Sequence, residues 1–331
     1  MNVLQLLSAI EKVDPEVYDR LDSRRRVFQH MGIIGKTLAA SAVPAALSAI
    51  FNKAYAQTST APSVNDVLNF ALKLEYLESY FYNAGLGARG ATATPTQTAL
   101  RAQFSANNLT ALDKIRTDEA NHVTFLRGAL GSNAIPAPAT TEFDFTGGRG
   151  SGAGPFATVF TSAATFLAVA QAFEDTGVRA YKGGAPLLMS NKTVLEAALN
   201  IHSVEARHAS RLRTMRRAAP NTDRASGAAS TGTFTSSPKS WISGTDGGGP
   251  SPAQTAPIYG AGMQPAYLPA SSGITFPAED NVTQGGVNLQ TALASLSFPA
   301  AAFSEAFDEP LDVATVSTIA RGFTVSSSTL F

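Results

Sequence analysis

The chain has 331 residues, with 25 basic and 25 acidic side chains, 44 % hydrophobic residues and no cysteine. The charge balance gives no support for nucleic-acid binding, which shows as a basic excess. Without thiols there is no disulfide, thiolate zinc site, iron–sulfur cluster or cysteine nucleophile; any metal must be held by oxygen and imidazole, which suits iron, manganese or zinc rather than copper on soft ligands.

Residues 1–22 have amphipathic helical spacing (Leu4, Leu7, Ile10, Val13, Val17), and Arg24-Arg25-Arg26-Val27-Phe28 follows. The apolar run Ile33–Phe51 ends near Ala54-Tyr55-Ala56. A basic stretch, an apolar stretch and a small-x-small site form an export signal. Arg25 and Arg26, with Phe28 beyond them, resemble the twin-arginine signal, whose machinery carries folded proteins. Residues 1–57 are therefore expected to be a leader, cleaved after Ala56, that sends the protein to the periplasm or cell envelope. The alternative is an uncleaved anchor, since Ile33–Phe51 is close to spanning length. His30 falls in this leader.

Residues 58–218 read as four helices. Helix A is expected from Val67 to Ala84, with Asp66 as N-cap and Leu68, Ala71, Glu75, Glu78 and Tyr82 on one face; Gly85 and Gly87 stop it. Helix B is expected from Thr98 to Leu130, with Leu112, Ile115, Glu119, His122, Val123 and Leu126 inward. Residues 131–154, rich in proline and glycine, are long for a connection between neighbours and suit a crossover along a bundle. Their glycine cluster follows no strand and lacks a Lys-Ser/Thr ending, so it does not read as a phosphate cradle. Helix C is expected from Pro155 to Tyr181, carrying Leu167, Glu174, Val178 and Tyr181, and broken by Gly183-Gly184 and Pro186. Helix D is expected from Asn191 to Ala218, with Ile201, Glu205, His208 and Leu212 inward and a basic end that complements the helix dipole. Residues 219–331, rich in Gly, Ser, Thr and Pro, read as an extension on or beside the bundle. Short helices are expected at 288–298 and 308–321, the second with Pro310 in its first turn.

The two halves repeat. Glu75 and Tyr82 on helix A recur at the same spacing as Glu174 and Tyr181 on helix C; each of these helices precedes one with Glu-x-x-His, Glu119/His122 and Glu205/His208. On a helix that motif puts carboxylate and imidazole on one face. The register pairs Glu75 with Glu174, and Glu78 with Gly177. Four inward carboxylates are very costly to bury uncompensated, so the pattern calls for cations, and two divalent ions would balance it. Glu78 is expected to stand beside the ligands or at the surface, with a ligand role as the alternative. Tyr82 and Tyr181 are expected to be core residues with satisfied hydroxyls, or else to tune the site. His202 is expected to bond a carbonyl, and Asp118 and Asp175 to point away.

The segments Leu74-Glu75-Tyr76-Leu77-Glu78 with Phe81-Tyr82, Asp118-Glu119-Ala120-Asn121-His122, and Phe307-Asp308-Glu309-Pro310-Leu311 resemble the ferritin-like superfamily. The likeness is to its exported bacterial branch, also seen in desiccation-associated plant proteins. It implies an all-α core, a ferritin-like four-helix bundle with a long B–C crossover and a loop-rich C-terminal region. It further implies two divalent ions, iron first and manganese next. Glu119 and Glu205 would bridge them, His122 and His208 would each cap one, and Glu75 and Glu174 would be terminal ligands. Metal ions, dioxygen or peroxide, and the twin-arginine export machinery are the expected partners. The bulk after the bundle argues against a cage and is compatible with a homodimer. The expected activity is ferroxidase-, peroxidase- or catalase-like, serving oxidative-stress protection or iron handling. A non-enzymatic, stress-protective envelope protein is the alternative of another class, and an interaction module on residues 220–331 a third.

Overall fold

The fold is seen in a computed structural model that describes residues 61–217, 238–246, 249, 252–265, 267–268 and 275–331. The expected leader, with Arg25, Arg26, His30 and the Ala56 site, lies outside the described residues, as do residues 218–237.

Helix α1 (Val64–Leu86) starts a turn earlier than expected because Ser63, not Asp66, is its N-cap. The Ser63 hydroxyl accepts from the Asp66 N–H and the Asp66 carboxylate accepts from the Ser63 N–H at 2.8 Å, which closes a capping box. Gly85 lies inside this helix rather than ending it, since a Cβ there would stand 2.4 Å from the Phe166 ring. The expected helix B is two pieces, α2 (Pro95–Arg101) and α3 (Ala106–Leu130), because Thr94 and Ser105 each cap a helix start.

Helix α4 (Ala163–Gly184) begins after Ser162, whose side chain caps Thr165 N; residues 155–162 are turns that bury Phe156 and Val159. It runs through Gly183, where a Cβ would stand 2.0 Å from the Leu311 carbonyl, so the glycine is a packing site and not a stop. Helix α5 (Lys192–Arg217) follows a short 3-10 turn.

Helix α1 packs on α3 and α4, and α5 packs on α4 and α3. That leaves α3 and α4 diagonal, so residues 131–162 between them cross the bundle as expected. The glycine cluster in this crossover is wound around Asp144, whose carboxylate accepts from the N–H groups of Thr146 (3.1 Å), Gly150 (2.6 Å) and Gly152 (3.2 Å). Those amides are spent on a protein carboxylate. Among the described residues no helix is long and apolar enough to cross a membrane.

Past the bundle come α6 (Pro252–Tyr259), a two-residue hairpin (β1 Thr283–Gln284, β2 Val287–Asn288), α7 (Leu289–Ala292), α8 (Ala301–Ser304) and α9 (Val313–Arg321). Helix α9 starts at the cap Asp312, and Pro310 precedes it instead of sitting in its first turn. Two buried arginines tie this region down. Arg213 pairs with Asp175 (2.5 Å) and Asp246 (3.0 Å). Thus Asp175 does point away from the carboxylate face of α4, while Arg213, part of the basic end of α5, is spent on buried ion pairs instead of the helix dipole. The other arginine, Arg179, lies on α4 and holds five carbonyls of the C-terminal region. Phe81, Phe145, Phe166, Phe173 and Phe323 share one apolar cluster, so the last turns of the chain complete the core of the bundle.

Candidate metal centre

Each of the four bundle helices lends its inward stripe to one point. Glu75 comes from α1, Glu119 and His122 from α3, Glu174 from α4, and Glu205 and His208 from α5. All four carboxylates are 0 % exposed. The side chains form two groups, Glu75, Glu119, His122, Glu205 and Glu119, Glu174, Glu205, His208. Within each group one ligand-type atom per residue lies within 4.8 Å of the others. Glu119 and Glu205 belong to both. The six residues singled out in sequence are thus brought together, in an arrangement that matches the pseudo-repeat.

Both imidazoles turn Nδ1 inward. His122 Nδ1 stands 3.1 Å from Glu75 Oε2, 3.2 Å from Glu119 Oε2 and 3.1 Å from Glu205 Oε1. His208 Nδ1 stands 2.9 Å from Glu119 Oε1 and 3.2 Å from Glu174 Oε2. One ring N–H cannot satisfy several carboxylates at once. Glu119 Oε1 and both oxygens of Glu205 accordingly lack a hydrogen bond of acceptable geometry. Buried carboxylate oxygens without a partner are expensive. An oxygen and imidazole donor set of this kind fits divalent cations of the iron and manganese class.

The outer contacts follow the same two-fold logic. The Tyr82 hydroxyl donates to Glu174 Oε1 at 2.5 Å, and the Tyr181 hydroxyl donates to Glu75 Oε1. Each tyrosine therefore orients the carboxylate of the opposite helix, which places both in the site and not merely in the apolar core. Asp118 departs from expectation, because its Oδ2 lies 3.3 Å from His208 Nε2. A carboxylate behind an inward-facing imidazole sets its tautomer and orientation. Burial pushes the Asp118 carboxyl up, but bonds to His208 and Lys114 outweigh it and hold it at about 2. His202 stays outside both groups, and its buried Nε2 makes no hydrogen bond, to a carbonyl or otherwise. Burial lowers its pKa.

Glu78 is buried, not at the surface. It leans over Gly177, whose Cβ position is 3.4 Å from Glu78 Oε1 and 3.5 Å from Glu205 Oε2. The halves differ here, with a carboxylate on α1 and empty side-chain space on α4.

Electrostatics record the crowding. Burial, and then the charge of Glu205, raises Glu119 to about 7. Burial raises Glu205 and Glu78 well above the usual range, with the charge of Glu174 adding to the first and that of Glu205 to the second. Burial opposes charge on His122 and His208, but facing carboxylates overcome it and hold both far above ordinary imidazole values.

A pKa raised by folding gives stability that is full below the unfolded value and lost as pH rises through the folded one. For Glu119 that window runs from 4.5 to about 7. The metal-free chain is therefore expected to lose stability as pH climbs across this window, in denaturant midpoints taken at fixed ionic strength. The raised histidines extend the loss above 6.5. Metal-loaded protein is expected to move the other way, since ligands shed protons to bind. A metal-free chain that gains stability from pH 5 to 8 would contradict the crowding.

Residues 63–218 match the family model of the ferritin-like domain. No match was found among curated proteins or among solved structures.

Proposed function

Starting from a ferritin-like domain over residues 63–218, we propose that this protein holds a pair of divalent ions, iron by preference and manganese next, for chemistry on dioxygen or peroxide. The observation that carries this reading is the sharing of Glu119 and Glu205 by two otherwise separate ligand groups. In it, Glu75 and His122 complete one ion's set, Glu174 and His208 complete the other's, and Glu119 and Glu205 serve both. Such a pair, when bound, supplies one- or two-electron redox chemistry at neighbouring positions.

The chain's own contribution is preorganisation. Tyr82 and Tyr181 fix the terminal carboxylates, and Asp118 holds the His208 ring by Nε2, which would leave Nδ1 to face a bound ion. Glu78 adds a further buried carboxyl beside the shared pair, on one half only. Full burial of the four carboxylates keeps bulk water out. The leader reading adds that the protein is exported folded to the periplasm or envelope, in oxidative-stress protection or iron handling.

Loaded with Fe(II) or Mn(II), the protein is expected to consume dioxygen or peroxide catalytically, and Glu119→Ala with His208→Ala is expected to abolish this. Oxygen-electrode and peroxide-loss assays check it. The same burial also favours a second reading, a stress-protective envelope protein in which metal only stabilises the bundle. A large melting shift on chelation, with two ions bound and no turnover, would select that reading.

A further inference from the structure

A cavity of about 400 Å3 opens where α1, α4, the 3-10 turn Ala185–Leu188 and α9 meet. That volume suits a small organic ligand. Its wall is dominated by apolar side chains, among them Val67, Phe70, Leu74, Leu188, Leu311 and Val316.

The polar members of the wall are few, and their commitments differ. Asp66 is spent on the Ser63 cap. Asn69 donates to the Asn133 carbonyl at 2.9 Å and accepts from the Ile135 N–H at 2.9 Å. Tyr181 donates to Glu75 in the carboxylate cluster. Lys73 is the wall's one cation, and it has no ion pair or hydrogen bond among the described residues. It is half-buried. A half-buried lysine on the wall of a mostly apolar hollow, with no anion bound to it among the described residues, suits a ligand with an anionic head and an apolar tail.

We propose that this cavity binds a free fatty-acid-type amphiphile, with its aliphatic chain against the apolar wall and its carboxylate on Lys73. Charge complementarity selects the head group, and the composition of the wall selects the tail. Since Tyr181 belongs to both the cavity wall and the carboxylate cluster, the ligand would lie one side chain from Glu75. The site is independent of the metal reading, because the wall and Lys73 do not depend on bound ions.

The test uses the full chain, metal-free and metal-loaded in parallel. Laurate is titrated by displacement of a fluorescent undecanoate probe, with dodecanol as the uncharged control. Saturable one-to-one binding of laurate is expected in both preparations. Lys73→Gln is expected to weaken laurate about tenfold or more while leaving dodecanol unchanged, the signature of one lost charge contact. Val313→Trp enlarges a side chain that lines the wall yet is 44 % exposed. It should spare the fold and weaken both ligands. Absence of saturable laurate binding would overturn the proposal, as would binding indifferent to Lys73→Gln. Co-sedimentation with anionic vesicles without binding of monomeric laurate would assign the face to a membrane surface and overturn it equally. Metal content, measured on the same samples, reports separately on the metal reading.

Discussion

Glu205→Gln is expected to raise the stability of the metal-free chain by about 1.4 kcal/mol for each pH unit above the ordinary glutamate range, because an amide stays neutral without taking up a proton. It should also abolish binding of a metal pair. Glu205 is 0 % exposed, and neither of its oxygens has a hydrogen bond of acceptable geometry. Its burial and the charge of Glu174 already hold its pKa high. An amide of the same shape stays neutral at every pH and offers N–H donors to oxygens that lack them. A site kept for binding, and not for stability, behaves in this way. If the cluster were a self-sufficient polar network, the same change would destabilise the chain, because a partner would be lost. Urea unfolding in chelator, beside metal titration, reads both arms; a drop in metal-free stability would remove the argument from unpaired carboxylates.

A second change acts on the other half of the molecule. Arg179→Leu is expected to cost about 3–5 kcal/mol, the scale of a buried pair broken from one side. Arg179 is completely buried on α4 and its Nε lies 2.9 Å from Glu279 Oε1. The same Nε donates to the Glu309 carbonyl at 3.0 Å, while the terminal nitrogens reach the carbonyls of Ile258, Gly260, Pro277 and Pro310. Leucine would leave Glu279 without its counter-ion, on a side chain already held at about 8, chiefly by burial. It would also strand carbonyls at the end of α6 and in the loops beyond it. Limited proteolysis should then cut between residues 258 and 311 well before the bundle. Glu279→Gln serves as the control, since it removes the orphaned charge and should lose much less. Equal proteolytic resistance of Arg179→Leu and the unaltered chain would mean that the C-terminal region docks by its apolar contacts alone.

The site was legible because helices repeat. Glu-x-x-His puts two ligand-type groups on one stripe, and the Glu75/Tyr82 and Glu174/Tyr181 recurrence aligned two stripes without any tertiary information. The long B–C connection likewise announced a crossover. What the wheel cannot show is contact between helices. Asp118 sits one residue before Glu119 and so leaves its stripe, yet the packing of α3 beside α5 brings it to His208. The crossed tyrosine bonds, each reaching the opposite carboxylate, have the same origin. Helix starts slipped wherever two plausible caps competed, as Ser63 did with Asp66 and Ser162 did with the Pro155 region. The C-terminal region was least legible. Its order rests on Arg179 and Arg213 receiving carbonyls and carboxylates from distant loops, and such long-range polar contacts leave no period in the chain.

Counting metal per chain reads whether Glu119 and Glu205 are shared between two ions. The full chain is stripped with chelator, loaded with Fe(II) without oxygen or with Mn(II), desalted, and analysed for metal per chain. Two ions per chain are expected, falling together when Glu119 or Glu205 becomes alanine, since both belong to the two groups. Loss of one ion only is expected when His122 or His208 is replaced. A chain that retains no metal, or that keeps one ion after either shared glutamate is removed, would contradict that sharing.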